Sequence, residues 1–240
     1  MYTLELSLRQ YFLYNNHHYI ILFVIYNIIR QLYLLLKKGG IIYMSIFILS
    51  CGVFEPELNK VLKEIKEENI FNEDINVKYL PFGLHSNLDK LKSEIVTNLD
   101  KIKDNKIILL YGSKCHYKFH DFLKDYDDVI TFDDANCIEL IIKNNKNKKS
   151  IIDEKNLYIT SGWVLKFDEL NNFINAVDMY DIRQQYGQYE NIIIGDSKVF
   201  NITDDMIFDL FEKIQVPIEV EDVDINNFKN KIVNAIKKAL

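Results

Sequence analysis

The sequence predicts an α/β protein with a mainly parallel, doubly wound sheet, a Rossmann-like three-layer arrangement, and three observations lead there. From Met44 onward, apolar runs of strand length alternate with segments of helical period. The runs are continuously apolar, as in Ile46-Phe47-Ile48-Leu49, which suits strands covered on both faces. Glycine and polar punctuation falls after the strands, where the βα turns of a parallel sheet belong. The chain has 240 residues, 48% hydrophobic and 27% charged, with only 8 Gly and 3 Pro. Residues 44–240 therefore suffice for one well-buried core and read as a single α/β domain.

The first strand is Ile46–Leu49. Pro56 opens the next helix, where its missing N–H does no harm, and Leu58, Leu62 and Ile65 line one side at i, i+4 and i+7. A second strand covers Ile75–Leu80. Leu88, Leu91, Ile95, Leu99 and Ile102 follow at helical spacing, with Ser86 and Asp89 resembling a capping box. Ile107–Leu110 is the third strand, and a helix from Cys115 to Tyr126 leads to a fourth, Val129–Phe132. Ala135–Asn144 is a short helix and Leu157–Thr160 the fifth strand. A helix from Phe167 carries Leu170, Phe173, Ile174 and Val177. Strand Ile192–Ile194, a helix from Asp204 capped by Thr203, strand Ile218–Val220 and a helix with Phe228, Ile232 and Ile236 complete the series. Repeated β-α units imply right-handed crossovers. The Lys/Asn-rich run from Lys143 to Asn156 reads as a surface loop.

Residues 1–43 read differently. They hold four basic side chains (Arg9, Arg30, Lys37, Lys38) and one acid, Glu5, which leaves 25 basic and 34 acidic residues, a net of −9, in the remainder. The apolar stretch Tyr19–Leu36 is about long enough to cross a bilayer. It contains Asn27, Arg30 and Gln31, however, and a mid-span Arg costs roughly 2.5–3.5 kcal/mol on insertion. A signal peptide's small-residue cleavage site is missing. A membrane anchor and a peripheral amphipathic helix are two readings. The favoured one is upstream translation, with Met44 as the start, because Lys38-Gly39-Gly40 allows a purine-rich ribosome-binding site in the coding strand.

A net charge of −6 argues against a sequence-independent grip on nucleic acid, which needs clustered Lys and Arg. Three cysteines, an odd and low count, argue against a disulfide-stapled secreted fold and for reduced thiols in the cytoplasm. No membrane partner is expected for residues 44–240.

In open parallel sheets, ligands bind beyond the carboxyl ends of the strands. The residues expected there are Cys51-Gly52, then Leu84-His85, then Tyr111-Gly112-Ser113-Lys114-Cys115, then Asn136-Cys137, then Ser161-Gly162-Trp163. All three cysteines and one histidine share this edge. Cys51, His85, Cys115 and Cys137 form a set able to hold zinc tetrahedrally, or another soft transition metal such as iron. Four protein ligands would make a structural site, and three would leave a position for water or substrate. The competing reading is inert buried thiols. Gly52, Tyr111, Gly112, Ser113, Lys114, Asn136, Ser161, Gly162 and Trp163 are candidate ligand-binding residues, although a lone Trp beside a strand end is more often core than a stacking platform. His116 and His120, at i and i+4, read first as helix-surface residues and second as metal ligands. Gly112-Ser113-Lys114 and Gly195-Asp196-Ser197-Lys198 echo phosphate loops without the full spacing. Asp133 and Asp134 read as solvated carboxylates or acid/base groups.

The ordered series Ser50-Cys51-Gly52-Val53, Leu84-His85, Tyr111-Gly112 through Cys115, Asn136-Cys137-Ile138 and Ser161-Gly162-Trp163 resembles the domain-of-unknown-function family 1638 of methanogenic archaea and anaerobic bacteria, over about residues 45–220. The resemblance implies family positions at Cys51, His85, Cys115, Cys137 and Trp163, and a start near Met44. His116 stands where members tend to have Gly, and Asn136 where an acid is usual. The resemblance also hints at corrinoid-dependent methyl transfer. The functions that follow are a metal-dependent enzyme acting on a thiol or methyl group, a non-catalytic metal or cofactor carrier, a dithiol redox protein, or a structural domain. A small molecule or a corrinoid-type methyl-transfer protein is the expected partner.

Overall fold

The computed structural model describes residues 45–126, 128–142, 153–169 and 179–240, and residues Ser45–Leu240 form one compact unit. The N-terminal extension, the run 143–152, and Leu170, Phe173, Ile174 and Val177 lie outside the described residues. Among the described residues no helix is long and apolar enough to cross a membrane.

The α/β class and the parallel pairing hold, and seven strands among the described residues divide into two sheets. The first has the order β2-β1-β3-β4, from β1 (Ile46–Cys51), β2 (Ile75–Leu80), β3 (Lys106–Leu110) and β4 (Val129–Ile130). Every pair in it is parallel. The second has the order β5-β6-β7, from β5 (Asn156–Thr160), β6 (Asn191–Asp196) and β7 (Ile218–Asp222), again all parallel. In the first sheet the chain runs outward from β1 to β2, then returns to place β3 on the other side of β1. That reversal is a topological switch point, the place beyond the carboxyl ends of β1 and β3 where open parallel sheets bind their ligands.

The helices with both ends among the described residues are α1 (Glu55–Glu67), α2 (Leu88–Ile102), α3 (Phe119–Leu123), α4 (Cys137–Ile142), α5 (Ser161–Leu165), α6 (Met179–Tyr186), α7 (Asp204–Ile214) and α8 (Asn226–Ala239). Pro56 sits in the first turn of α1 as its chemistry requires. Thr203 caps α7 by accepting the Met206 N–H at 3.3 Å. At α2 the cap is Asn87, whose Oδ1 accepts the Lys90 N–H at 3.0 Å, not the Ser86 expected from the sequence. The Ser86 hydroxyl donates instead to the Gly83 carbonyl at 2.9 Å, which holds the preceding short 3-10 turn. The helix expected from Cys115 begins only at Phe119. His116 Nδ1 accepts the Lys118 N–H at 2.9 Å, a side-chain bond that competes with helix initiation.

Each sheet has its own core. Ile46, Ile48 and Leu49 of β1 and Ile107 to Leu110 of β3 anchor the first, with Leu58, Val61 and Ile65 of α1 and Leu91, Ile95 and Leu99 of α2. Ile159, Ile192, Ile194, Leu210 and Ile214 anchor the second. The last helix binds the two halves together. It follows β7 of the second sheet, yet its Phe228, Ile232 and Ile236 lie in the core of the first, with Phe54 and Phe228 stacked at 5.7 Å. Trp163 packs against both cores.

Candidate functional site

Alternating strand and helix carries the three thiols to one edge. Cys51 is the last residue of β1, Cys115 lies in the turn after β3, and Cys137 opens α4 after β4. Cys51 and Cys115 thus flank the switch point. The three are free thiols, with Cys51 buried and the others half-buried. They are near enough to act on one another: Cys115 disfavours a thiolate at Cys51, and both Cys51 and Cys115 disfavour one at Cys137. Burial is the larger cause, and it pushes Cys51 and Cys137 up to about 12. Cys115 is raised by the same cause. Bare thiols here keep their protons at neutral pH.

Two buried donors lie near these sulfurs. The Tyr111 hydroxyl and the Trp163 indole N–H are both buried and have no hydrogen-bonding partner among the described residues. Tyr111 is near enough to Cys51, and Trp163 to Cys137, to favour a thiolate there, against the larger effect of burial. The Val53 amide and the Lys166 ammonium act on Cys51 in the same sense, and the Gly112 amide on Cys115. The edge is therefore largely buried, and lined with groups that would stabilise negative sulfur.

His85 follows β2 and stands at the rim, exposed, with its ring 6.3 Å from that of Trp163. Enough protein surrounds it for burial to hold its pKa below the usual histidine value. Phe82 meets the Trp163 ring edge-on, with centroids 5.0 Å apart. His85 thus adjoins the thiols through Trp163. Among the described residues, no group of three or more His, Cys, Asp and Glu is gathered tightly enough to hold a metal ion as it stands.

The surrounding residues position the edge. A Cβ at Gly112 would stand 2.3 Å from the Ala135 carbonyl oxygen, so only glycine lets the β3 and β4 turns meet. Those turns are joined by Ser113 N–H and Lys114 N–H, which donate to the Asp134 and Ala135 carbonyls at 2.9 Å each. Asn136 caps α4, its Oδ1 accepting the Glu139 N–H at 3.0 Å, while Glu139 Oε2 accepts the Ala135 N–H at 3.1 Å. Lys231 on α8 donates to Asp134 at 2.6 Å and to the Glu139 and Leu140 carbonyls at 3.3 Å. Asp134 is thereby a structural partner, and the Ser113 and Lys114 amides are occupied rather than free to cradle phosphate. The second phosphate-loop echo is likewise closed: Lys198 N–H and Nζ both donate to Asp196, at 2.8 and 2.7 Å. Lys114 is exposed, Gly52 lies in a short 3-10 turn after Cys51, and His120 is exposed on α3 while His116 is buried. The two histidines therefore do not form a surface pair.

Sequence reasoning missed Glu57. It is fully buried, and its Oε1 accepts the Gly162 N–H at 3.3 Å and the Ser197 hydroxyl at 3.2 Å. Ser197 N–H donates to Ser161 Oγ at 3.2 Å, so the turns after β5 and β6 converge on this carboxyl. Among the described residues its Oε2 has no hydrogen-bonding partner. A Cβ at Gly162 would stand 1.9 Å from the Val53 carbonyl oxygen, which leaves room for nothing larger at the joint. Burial, offset by these bonds, raises the Glu57 pKa to about 7. A neighbouring pair, Lys166 and Glu55 at 2.7 Å, closes the same joint from its outer side. The signal was available: Glu57, Val61 and Ile65 recur at i, i+4 and i+8, which places an acid on the apolar stripe of α1.

A family model described as "Protein of unknown function (DUF1638)" matches residues 79–232, more than half of the chain. The match includes His85, Cys115, Cys137 and Trp163 and begins after Cys51, a narrower and later span than the sequence motifs suggested. No curated protein and no solved structure matches.

Proposed function

This chain belongs to the DUF1638 family, and we propose that it binds a soft metal ion, zinc or iron, through Cys51, Cys115 and Cys137, with His85 or an incoming ligand as the fourth donor. The observation that carries this reading is the placement of every cysteine in the chain at the switch-point edge, within electrostatic reach of one another. Three thiols and buried N–H and O–H donors suit a cation that prefers sulfur. A bound ion would supply positive charge that acidifies a thiol or water in the fourth position. The protein's own contribution would be to hold the sulfurs in a largely buried setting, with Tyr111 near Cys51 and Trp163 near Cys137 favouring the charge they would carry. A small thiol, or a methyl group carried by a corrinoid-type protein, is what this site would meet. A dithiol redox role is weaker, because burial keeps the nucleophilic thiolate scarce.

Metal analysis of the anaerobically purified full chain tests the reading, together with cobalt(II) substitution, which adds a sulfur-to-metal absorption band. Near-stoichiometric metal and that band are expected, both lost in Cys115→Ser and kept in His120→Ala. A folded protein that takes up neither zinc nor cobalt from solution overturns it.

A further inference from the structure

The second sheet ends in β7, and between its start and α7 runs a groove of about 370 Å3, lined by Asp204, Ile207, Phe208, Phe211, Pro217 and Ile218. Phe208 and Phe211 are 59% and 43% exposed, a large apolar area to leave in water. The inner side of α7 is already used, since Leu210 and Ile214 fill the second core. The aromatic pair therefore belongs to a separate outward stripe.

Beside that stripe, Asp205, Asp209 and Glu212 recur at i, i+4 and i+7 along the same helix. Among the described residues none of these carboxylates, nor Asp204 in the groove, is paired with a cation. Lys213, the helix's own base, is held by Asp168 at 2.7 Å. An apolar slot with an unpaired acidic margin has a defined complement. It fits a segment with large apolar side chains on one stripe and Lys or Arg on the next, the helix-in-groove mode of recognition.

We propose that this groove docks a basic amphipathic segment of a partner protein, its apolar side chains between Phe208 and Phe211 and its cations along Asp205, Asp209 and Glu212. A second copy of this chain is the poorer occupant, because an isologous contact would lay the acidic stripe against itself. An anionic lipid surface is repelled by the same stripe.

The probe is a fluorescently labelled helical peptide of leucine and lysine, compared by anisotropy with a version carrying glutamate for lysine, on the full chain. The lysine peptide is expected to bind and the glutamate peptide to fail. Phe208→Ser, which leaves the net charge unchanged, is expected to weaken binding about tenfold or more, as is usual when a central aromatic anchor is lost. The Asp205→Asn, Asp209→Asn, Glu212→Gln triple variant is expected to weaken it chiefly at low salt. Circular dichroism confirms that each variant is folded, and Phe211→Ser serves if Phe208→Ser is not. Equal binding of the two peptides, or binding indifferent to both serine variants, overturns the proposal. So does sedimentation showing a dimer that Phe208→Ser dissolves, which would make a second copy the occupant.

Discussion

Replacing Glu57 with Gln should change how stability depends on pH. The carboxyl is fully buried, accepts two hydrogen bonds on one oxygen and has none on the other, where a proton relieves an uncompensated charge. Burial lifts its pKa from the ordinary 4.5 to about 7. Below 4.5 both folded and unfolded chains hold the proton. As the pH rises from there the unfolded chain releases it first, so the folded state loses stability until the pH passes about 7, and the loss then levels off. A proton retained over that range corresponds to about 3 kcal/mol. Gln keeps the shape and the acceptor but does not titrate. Urea denaturation of both proteins from pH 4.5 to 8, followed by circular dichroism and by the fluorescence of Trp163, the chain's single tryptophan, measures the difference directly. The variant should gain on the wild type by about 3 kcal/mol across the range, while other carboxylates cancel in the comparison. Parallel profiles would show that Glu57 is ionised in the folded state and that the joint is not a dry one.

Two further substitutions probe how the thiol edge is held. Gly112→Ala should destabilise by about 3 kcal/mol in the same urea assay, because its Cβ would meet the Ala135 carbonyl oxygen and the Asn136 Cα, both backbone atoms that cannot swing away. Lys231→Met should cost about 1–3 kcal/mol and speed hydrogen exchange at the Cys137 end of α4, since its three acceptors include Asp134 and two α4 carbonyls. Unchanged exchange there would mean that α4 is pinned by packing alone.

Most elements were legible because periodicity and punctuation agreed: β2 and α2 fall on the expected residues, and Thr203 caps α7 as its side chain suggests. The placement of the cysteines followed from the same alternation, since each sits where a parallel strand gives way to its helix. The division into two sheets was not legible, because a parallel strand reads alike whichever neighbour it pairs with. The late start of α3 depends on one imidazole bonding to a nearby amide, which competes locally with a helical pattern that still looks intact. Glu57 was hidden by its address. An acid in a first helical turn is ordinarily a solvated group favoured by the helix dipole, and only Gly162 and Ser197, more than a hundred residues away, convert it into a buried joint.

Whether the thiol edge is inert or takes a metal can be decided by counting protons. Burial keeps all three thiols protonated at neutral pH, two of them pushed up to about 12. An ion that binds through sulfur must replace those protons, so zinc uptake should release about one proton for each coordinating thiol. Calorimetry in buffers of different ionisation heat reads that number without reference to any activity. About three protons per zinc at pH 7 are expected from the wild type and about one fewer from Cys137→Ala. Affinity should rise with pH, because proton loss is the step that burial opposes. Zinc binding with no proton release would place the ion on neutral imidazole and carboxylates elsewhere, and the sulfurs would then be small hydrophobes at the end of a sheet.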